Sequence, residues 1–374
     1  MIRVFTAFSG YDSQCLALNR LHDTHNIDYD LVGWSEIDKY AIEAHNALFP
    51  QWENRNYGDI STIDWAKVPD FDLFTYSSPC QDFSIAGKQA GGAEGSGTRS
   101  SLLWECRRAI IAKRPRYLLL ENVKALTSNK FRPLLMKWCF ELESYGYLNY
   151  IRVLNAKDYG VPQNRERVFV FSTLSRVPFI FPQPFTLARC VKDLLEEEID
   201  ERCYLRNEVV ERFLQKMKQN KERGVGFAFR PTDINGVAHT LTVGGPNSYS
   251  DPKWIAVPKV FQVGNMVKKS DFKNPCRGRV YSPDGLAPTL CAMSGGQLEP
   301  KIVNNNTTAI RKLTPRECFR LMGVQDSDID KIKRAGISWT QQYKMAGNSI
   351  VVDVLYHIFR QAFTEEKDNN NRLL

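Results

Sequence analysis

Cys80 is the residue best placed for chemistry. It stands in Ser78-Pro79-Cys80-Gln81, directly after the apolar run Phe71 to Ser77. A thiol at the rigid exit of a strand, stiffened by Pro79 and flanked by polar groups, suits a thiolate nucleophile. The other eight cysteines read as small buried hydrophobes. Glu121 and Asn122 close the apolar run Tyr117 to Leu120. A carboxylate there is partly desolvated, which raises its pKa and lets it donate a proton; Asn122 also fits a helix N-cap. Glu36 and Asp59 each follow a strand-like run, and an acid after the second strand is what recognition of ribose hydroxyls needs. The stretch Phe83 to Arg99 holds Gly87, Gly91, Gly92, Gly95 and Gly97 and few bulky apolar residues. Beside a nucleophile it reads as a lid over substrate, with a disordered surface loop as the alternative.

The elements that must position these residues alternate strand and helix. Strands are expected at residues 2–7, 31–35, 70–77, 117–121 and 168–171. Helices are expected over Cys15 to Leu21, from an Asp38 N-cap to Leu48, over Leu102 to Ile111 and over Pro133 to Tyr145. Such alternation means an open, mostly parallel α/β sheet with helices on both faces, whose ligands sit beyond the carboxyl ends of the strands. The 374 residues call for a second, smaller domain. After Phe185, helical stretches at Val191 to Asp200 and Asn207 to Gln219 give way to Gly-, Pro- and Asn-rich sequence with short strand-like pieces. There Asn235 to Leu241 resembles Asp284 to Leu290, and each copy runs on to a Gly-Gly pair. Helical pattern returns from Leu313 to Phe363, and Glu365 to Leu374 reads as a frayed polar tail.

Composition excludes a disordered or collagen-like chain, and no run approaches the ~18 apolar residues of a membrane span. Without a signal-peptide pattern or paired cysteines, a soluble cytoplasmic protein with no metal and no disulfide framework is expected. Net charge is −7 over residues 1–80, +8 over 81–180 and +7 over the remainder, which places a polyanion-facing surface on the middle and end of the chain. A solvated basic face without a partner is the alternative.

Taken together, Phe8-Ser9-Gly10, Glu36, Asp59, Pro79-Cys80-Gln81, Glu121-Asn122-Val123, Gln163-Asn164-Arg165-Glu166-Arg167, Leu313-Thr314-Pro315-Arg316-Glu317 and Gly347-Asn348-Ser349 form an ordered series. In these the chain resembles the DNA (cytosine-5) methyltransferases of bacterial or phage type, over nearly its whole length except residues 185–305. The resemblance implies a Rossmann-like methyltransferase sheet over residues 1–184 and a smaller, irregular β-rich target-recognition domain over 185–305. It also implies a helical segment over 306–364 that packs back on the first domain. The cofactor implied is S-adenosyl-L-methionine, with S-adenosyl-L-homocysteine as product. Phe8, Ser9, Gly10 and Tyr11 would form the loop around it, Glu36 would hold the ribose, Ile37 would pack on the adenine and Asp59 would meet its amino group. Ile60, Pro79, Leu102, Asn348 and Ser349 complete that set. Asp12 and Ser13 stand where the family has glycines, which leaves the path of the methionine-binding loop open.

The mechanism so implied is addition of Cys80 to carbon 6 of a flipped-out cytosine, helped by proton donation from Glu121 to ring nitrogen 3. Arg165 would steady the base or its phosphate, and Arg167 would be either a DNA contact or a structural ion pair. Gln81, Ser84 and Gln163 join the DNA contacts. Residues 224–303 carry a net +4, with Lys268, Lys269, Lys273, Arg277 and Arg279 as phosphate ligands. Asn247, Ser248 and Gln297, in loops after the two repeat copies, are candidates for base contacts, with plain surface turns as the alternative. Duplex DNA is the expected partner, a cognate restriction endonuclease could act separately, and the chain is expected to be a monomer. A tRNA methyltransferase of the same fold is the rival substrate reading. An oxidoreductase is excluded because Ser9-Gly10-Tyr11-Asp12-Ser13 replaces Gly-x-Gly-x-x-Gly.

Overall fold

Val4, Phe5 and Ala7 are wholly buried in the strand Ile2–Ala7 (β1), as a strand flanked by partners on both sides requires. In the computed structural model, which describes residues 1–78, 99–223, 231–241, 253–257, 262–265, 279–281, 301–302 and 309–372, β1 lies inside a six-stranded sheet. The other strands are Tyr29–Ser35 (β2), Leu73–Tyr76 (β3), Tyr117–Val123 (β4), Leu148–Asn155 (β5) and, after the short Gln163–Asn164 (β6), Glu166–Thr173 (β7). Their order is β2-β1-β3-β4-β7-β5; the first four run parallel, and β7 is antiparallel to both β4 and β5. Gly33 is obligatory in β2, because a Cβ there would stand 2.7 Å from the Phe5 ring.

Register aligns the strand ends. Ala7 pairs with Ser35 on one side and Tyr76 on the other, and Tyr76 pairs with Leu120. Phe8, Glu36, Ser77 and Glu121 are therefore each the next residue along, at one edge of the sheet. The helices between, Ser13–His25 (α1), Lys39–Leu48 (α2), Glu105–Lys113 (α3) and Arg132–Ser144 (α4), return the chain for the following strand. Asp38 caps α2 as expected, accepting from the N–H groups of Tyr40 and Ala41.

Three expectations change. Residues 191–200 form only a 3₁₀ turn at Val191–Leu194, since the run of Glu196, Glu197 and Glu198 interrupts its apolar spacing. β5 has no counterpart in the sequence reading, because Leu148, Ile151 and Arg152 are exposed on this edge strand and its pattern does not alternate. The tail is helical: the last helix runs Val352–Arg372.

The chain divides into two compact units, one of residues 1–194, 239–243 and 315–374, the other of 195–238 and 244–314. The second begins ten residues later than the composition shift suggests. In it the helix Asn207–Glu222 (α5) sets Phe213 against Trp254. The strand Trp254–Val257 lies between Thr232–Asp233 and Ala309–Lys312, and a second sheet joins Gln262–Asn265, Arg279–Tyr281 and Lys301–Ile302. In the first copy of the repeat a turn closes at Gly236, whose N–H donates to the Asp233 carbonyl. The second copy, 284–290, lies outside the described residues.

The first unit ends in helices Pro315–Arg320 (α6), Asp326–Arg334 (α7), Trp339–Asn348 (α8) and Val352–Arg372 (α9). α9 packs on α1, where Arg20 Nη1 meets Asp353 Oδ1 at 2.9 Å and Arg20 Nη2 donates to the Gly323 carbonyl at 2.9 Å. Among the described residues no helix is long and apolar enough to cross a membrane.

Candidate active site

Glu121 lies at the aligned edge with only 8% of its surface exposed. Burial raises its carboxyl pKa; nearby Arg167 and Arg165 and a hydrogen bond from Ser77 pull the other way without cancelling that rise. Arg167 Nε stands 3.2 Å from Glu121 Oε1, across the β4–β7 pair that sets Val123 opposite Arg167. Asn122 Nδ2 donates to the Ser78 carbonyl at 3.2 Å, so the outgoing end of β3 is fixed beside the carboxyl group. Cys80 lies two residues beyond Ser78, outside the described residues, as do Pro79, Gln81 and Ser84.

The arginine roles separate here. Arg167 makes the ion pair that was one of its two expected roles. Arg165 was expected to steady the base or its phosphate. It is 3% exposed, and its guanidinium donates to the carbonyls of Leu241 (3.0 Å), Gly347 (3.0 Å) and Ser349 (2.7 Å). It braces backbone, and its charge is near enough to Glu121 to pull that carboxyl's pKa down. Gln163, expected on DNA, is wholly buried; its amide donates to the Leu321 carbonyl at 2.7 Å and accepts from the Leu241 N–H at 3.3 Å. Two tight turns redirect this stretch, closed by Gln163 N–H to Val161 carbonyl and Arg165 N–H to Gln163 carbonyl. They break the simple alternation that would place Arg165 and Arg167 alike.

A second cluster of polar groups forms after β1 and β2. Phe8 has φ 55°, and Asp12, where the family has glycine, has φ 67°. The turn thus keeps a glycine-like path without the glycine, and aspartate tolerates this conformation better than most residues. Asp12 offsets the cost with its side chain. It accepts from Thr6 Oγ1 at 2.7 Å and from the Cys15 N–H at 3.1 Å, capping α1. Gly10 N–H donates to Glu36 Oε2 at 2.9 Å, and Glu36 Oε1 accepts from the N–H groups of Ile37 and Asp38, each at 2.8 Å. Three of roughly four carboxylate lone-pair positions are used, which leaves one for a ligand hydroxyl. Ile37, beside it, is 71% exposed.

Ser9 is buried, and its hydroxyl has no hydrogen-bond partner among the described residues. Asp59 is exposed and accepts from the N–H and hydroxyl of Ser61. Ile60, by contrast, is 2% exposed within the hydrophobic core, so its side chain is not free for a ligand. Leu102 is half-buried in the turn Arg99–Trp104. Tyr11, 1% exposed, packs edge-on against Phe319 and donates its hydroxyl to Ser349 Oγ at 2.8 Å. Asn348, next to Ser349, is exposed at the end of α8. Of the residues expected to contact DNA, Asn247, Ser248, Lys268, Lys269, Lys273, Arg277 and Gln297 lie outside the described residues, and Arg279 opens a strand of the second unit.

The chain matches the model of the C-5 cytosine-specific DNA methylases over residues 2–364. It is 35% identical to the type II methyltransferase M2.ScrFI of Lactococcus lactis subsp. cremoris, over 98% of this chain and all of that one. It is 32% identical to the type II methyltransferase M.HhaI of Haemophilus parahaemolyticus, over 96% and 93% respectively. A crystal structure of the S. pombe Dnmt2 methyltransferase shares the fold, with a TM-score of 0.64 at 19% identity over 98% of this chain and 99% of that one. With the family model matched over residues 2–364 and these relatives covered almost end to end, the reaction is cytosine-5 methylation of DNA. The chain belongs to the C-5 cytosine-specific DNA methylase family.

Proposed function

We propose that this chain takes its methyl group from S-adenosyl-L-methionine, held by the loops after β1 and β2, and transfers it to a cytosine swung out of duplex DNA, with Cys80 as nucleophile. The observation that carries the reading is Glu121: a buried carboxyl with a raised pKa, fixed through Asn122 to the segment that leads to Cys80.

The residues present suit the cofactor. Glu36 retains an acceptor position for a ribose hydroxyl, Ile37 offers an uncovered apolar face for a purine ring, and Asp59 has an exposed carboxylate for its amino group. Ile60 contributes through its backbone at most. When bound, S-adenosyl-L-methionine supplies an electrophilic methyl group.

The chain's own groups prepare the base. The Cys80 thiolate forms a bond to carbon 6 as Glu121 gives its proton to ring nitrogen 3, so the electron pair displaced toward carbon 5 builds no anion on the ring. Arg167 then faces a newly ionised Glu121 at ion-pair distance, which stabilises the product of the proton transfer. Once carbon 5 is methylated, solvent water takes its proton, the released electron pair re-forms the ring double bond as carbon 6 expels the thiolate, and nitrogen 3 returns its proton to Glu121. Extrusion of the cytosine costs a few kcal/mol of stacking and pairing, offset by phosphate contacts from basic residues.

The experiment is transfer of a labelled methyl group to duplex DNA by the wild-type chain and by Cys80→Ser, alongside binding of S-adenosyl-L-homocysteine. The variant should bind the cofactor product near wild-type affinity and transfer nothing. Normal turnover in Cys80→Ser would remove the nucleophile assignment.

A further inference from the structure

Arg165 holds two parts of the first unit that sequence places far apart. One is Thr240–Leu241, part of the short segment 239–243 that belongs to the first unit and leads into residue 244 of the second. The other is the end of α8, at Gly347 and Ser349. One guanidinium nitrogen holds the Leu241 carbonyl; the other holds both Gly347 and Ser349. Leu241 is also gripped through its N–H by Gln163, and Thr240 donates its hydroxyl to the Asn164 carbonyl at 2.6 Å. From Ser349 the chain of bonds continues through its hydroxyl to Tyr11, whose neighbour Gly10 donates to Glu36.

We propose that Arg165 is a positioning residue that couples DNA occupancy to cofactor occupancy, by holding the base of the recognition segment and the cofactor loop to one rigid group. The proposal rests on the function proposed above. Its physical basis is burial. Leu241, Arg165 and Tyr11 are 2%, 3% and 1% exposed, so a hydrogen bond lost along this line is not replaced by water. The guanidinium is planar and permanently charged, so its donors move together and cannot be silenced by deprotonation. A shift of Leu241 when DNA engages the recognition segment must therefore be followed by Arg165 or be met with an unsatisfied buried charge. Through Ser349 and Tyr11, the same adjustment reaches the loop that holds Glu36. Ordering of that loop by the cofactor acts back along the same bonds, because such coupling is reciprocal.

The test uses the full-length chain and a short duplex carrying the sequence it methylates, found by bisulfite sequencing of DNA from cells expressing the protein. Binding of S-adenosyl-L-homocysteine is measured by calorimetry without and with saturating duplex. In the wild type the duplex should tighten binding about fivefold or more, and the ligand should tighten duplex binding by the same factor. Arg165→Lys keeps the charge but loses the planar fork, and should reduce that factor below about twofold. Thr240→Val removes only a hydroxyl on the recognition side and keeps the fold measurable should the arginine variant fail to fold. It should weaken the coupling while leaving S-adenosyl-L-homocysteine affinity in the absence of DNA unchanged. Full wild-type enhancement in either folded variant, or none in the wild type, overturns the proposal. A wild-type chain that binds no S-adenosyl-L-homocysteine would instead overturn the cofactor reading beneath it, and the coupling with it.

Discussion

Arg167 reaches across from β7 to Glu121 on β4, Nε to Oε1 at 3.2 Å, in a setting where both side chains are largely shielded from water. The pairing is incomplete compensation: burial still holds the Glu121 carboxyl above the usual carboxylate range. A carboxyl held this way keeps its proton more readily than a free one and gains a stabilising partner once the proton is gone. Both properties suit a proton donor to a ring nitrogen.

Glu121→Gln separates function from stability. Methyl transfer should fall by about 10²- to 10⁴-fold, the usual worth of a positioned acid. Stability should move the opposite way. A carboxyl whose pKa is raised on folding contributes fully below its unfolded value and loses that contribution as pH rises through the folded one. The neutral glutamine therefore raises the melting temperature at pH 8, and the difference closes as pH drops below the ordinary glutamate pKa. Thermal unfolding of both proteins across that range checks the sign.

Arg167→Met removes the nearest cation from Glu121. The carboxyl pKa should climb further, seen as an upward shift in the titration of its infrared carbonyl band. The proton-transfer product loses its partner, so kcat should fall more than cofactor affinity. An unmoved titration would show that the ion pair does not govern this group.

Asp12, like Ser13, stands where the family has glycine in the loop after β1, and its left-handed backbone keeps a glycine-like path there. Asp12→Ala removes an α1 cap and a partner for Thr6 while keeping a Cβ at φ 67°, and should cost about 2–3 kcal/mol. Asp12→Gly loses the same bonds but relieves the left-handed strain of about 1–2 kcal/mol, so it should be the milder change. Urea denaturation ranks the two, and the reverse order would contradict this account of the turn.

His357 lies among Tyr159, Phe185 and Tyr356, and burial lowers its pKa to about 4. The imidazole stays neutral in the fold at pH values where the unfolded chain would protonate it. Stability should therefore decline from its ordinary value of about 6.5 down to about 4. His357→Phe should flatten that part of the acid profile, read by chemical denaturation at pH 7 and pH 4.5.

Much of this architecture was legible in sequence because the elements at the centre of the sheet carry unbroken apolar runs with polar exits. Ile2–Ala7 and Tyr117–Val123 are of that kind, and the Asp38 cap is a local signal that needs no tertiary context. β5 was not legible, because an edge strand with exposed Leu148, Ile151 and Arg152 has no face pattern to read. The distinction between Arg165 and Arg167 was hidden for another reason. It depends on two three-residue turns at Val161–Gln163 and Gln163–Arg165, and on partners some 76 to 184 positions away. The return of residues 239–243 to the first unit is likewise a matter of long-range bonds, from Leu241 to Gln163 and Arg165.

The claim on which the mechanism stands is a transient covalent bond between this chain and its base. A duplex carrying 5-fluorocytosine at the methylated position should stall the reaction after methyl transfer, since fluorine cannot leave as a proton does. Mass spectrometry of the protease-digested complex, formed with S-adenosyl-L-methionine present, should find the nucleotide on the peptide containing Cys80. An adduct on a different residue, or continued methylation of normal DNA with no adduct on the fluorinated duplex, would contradict it.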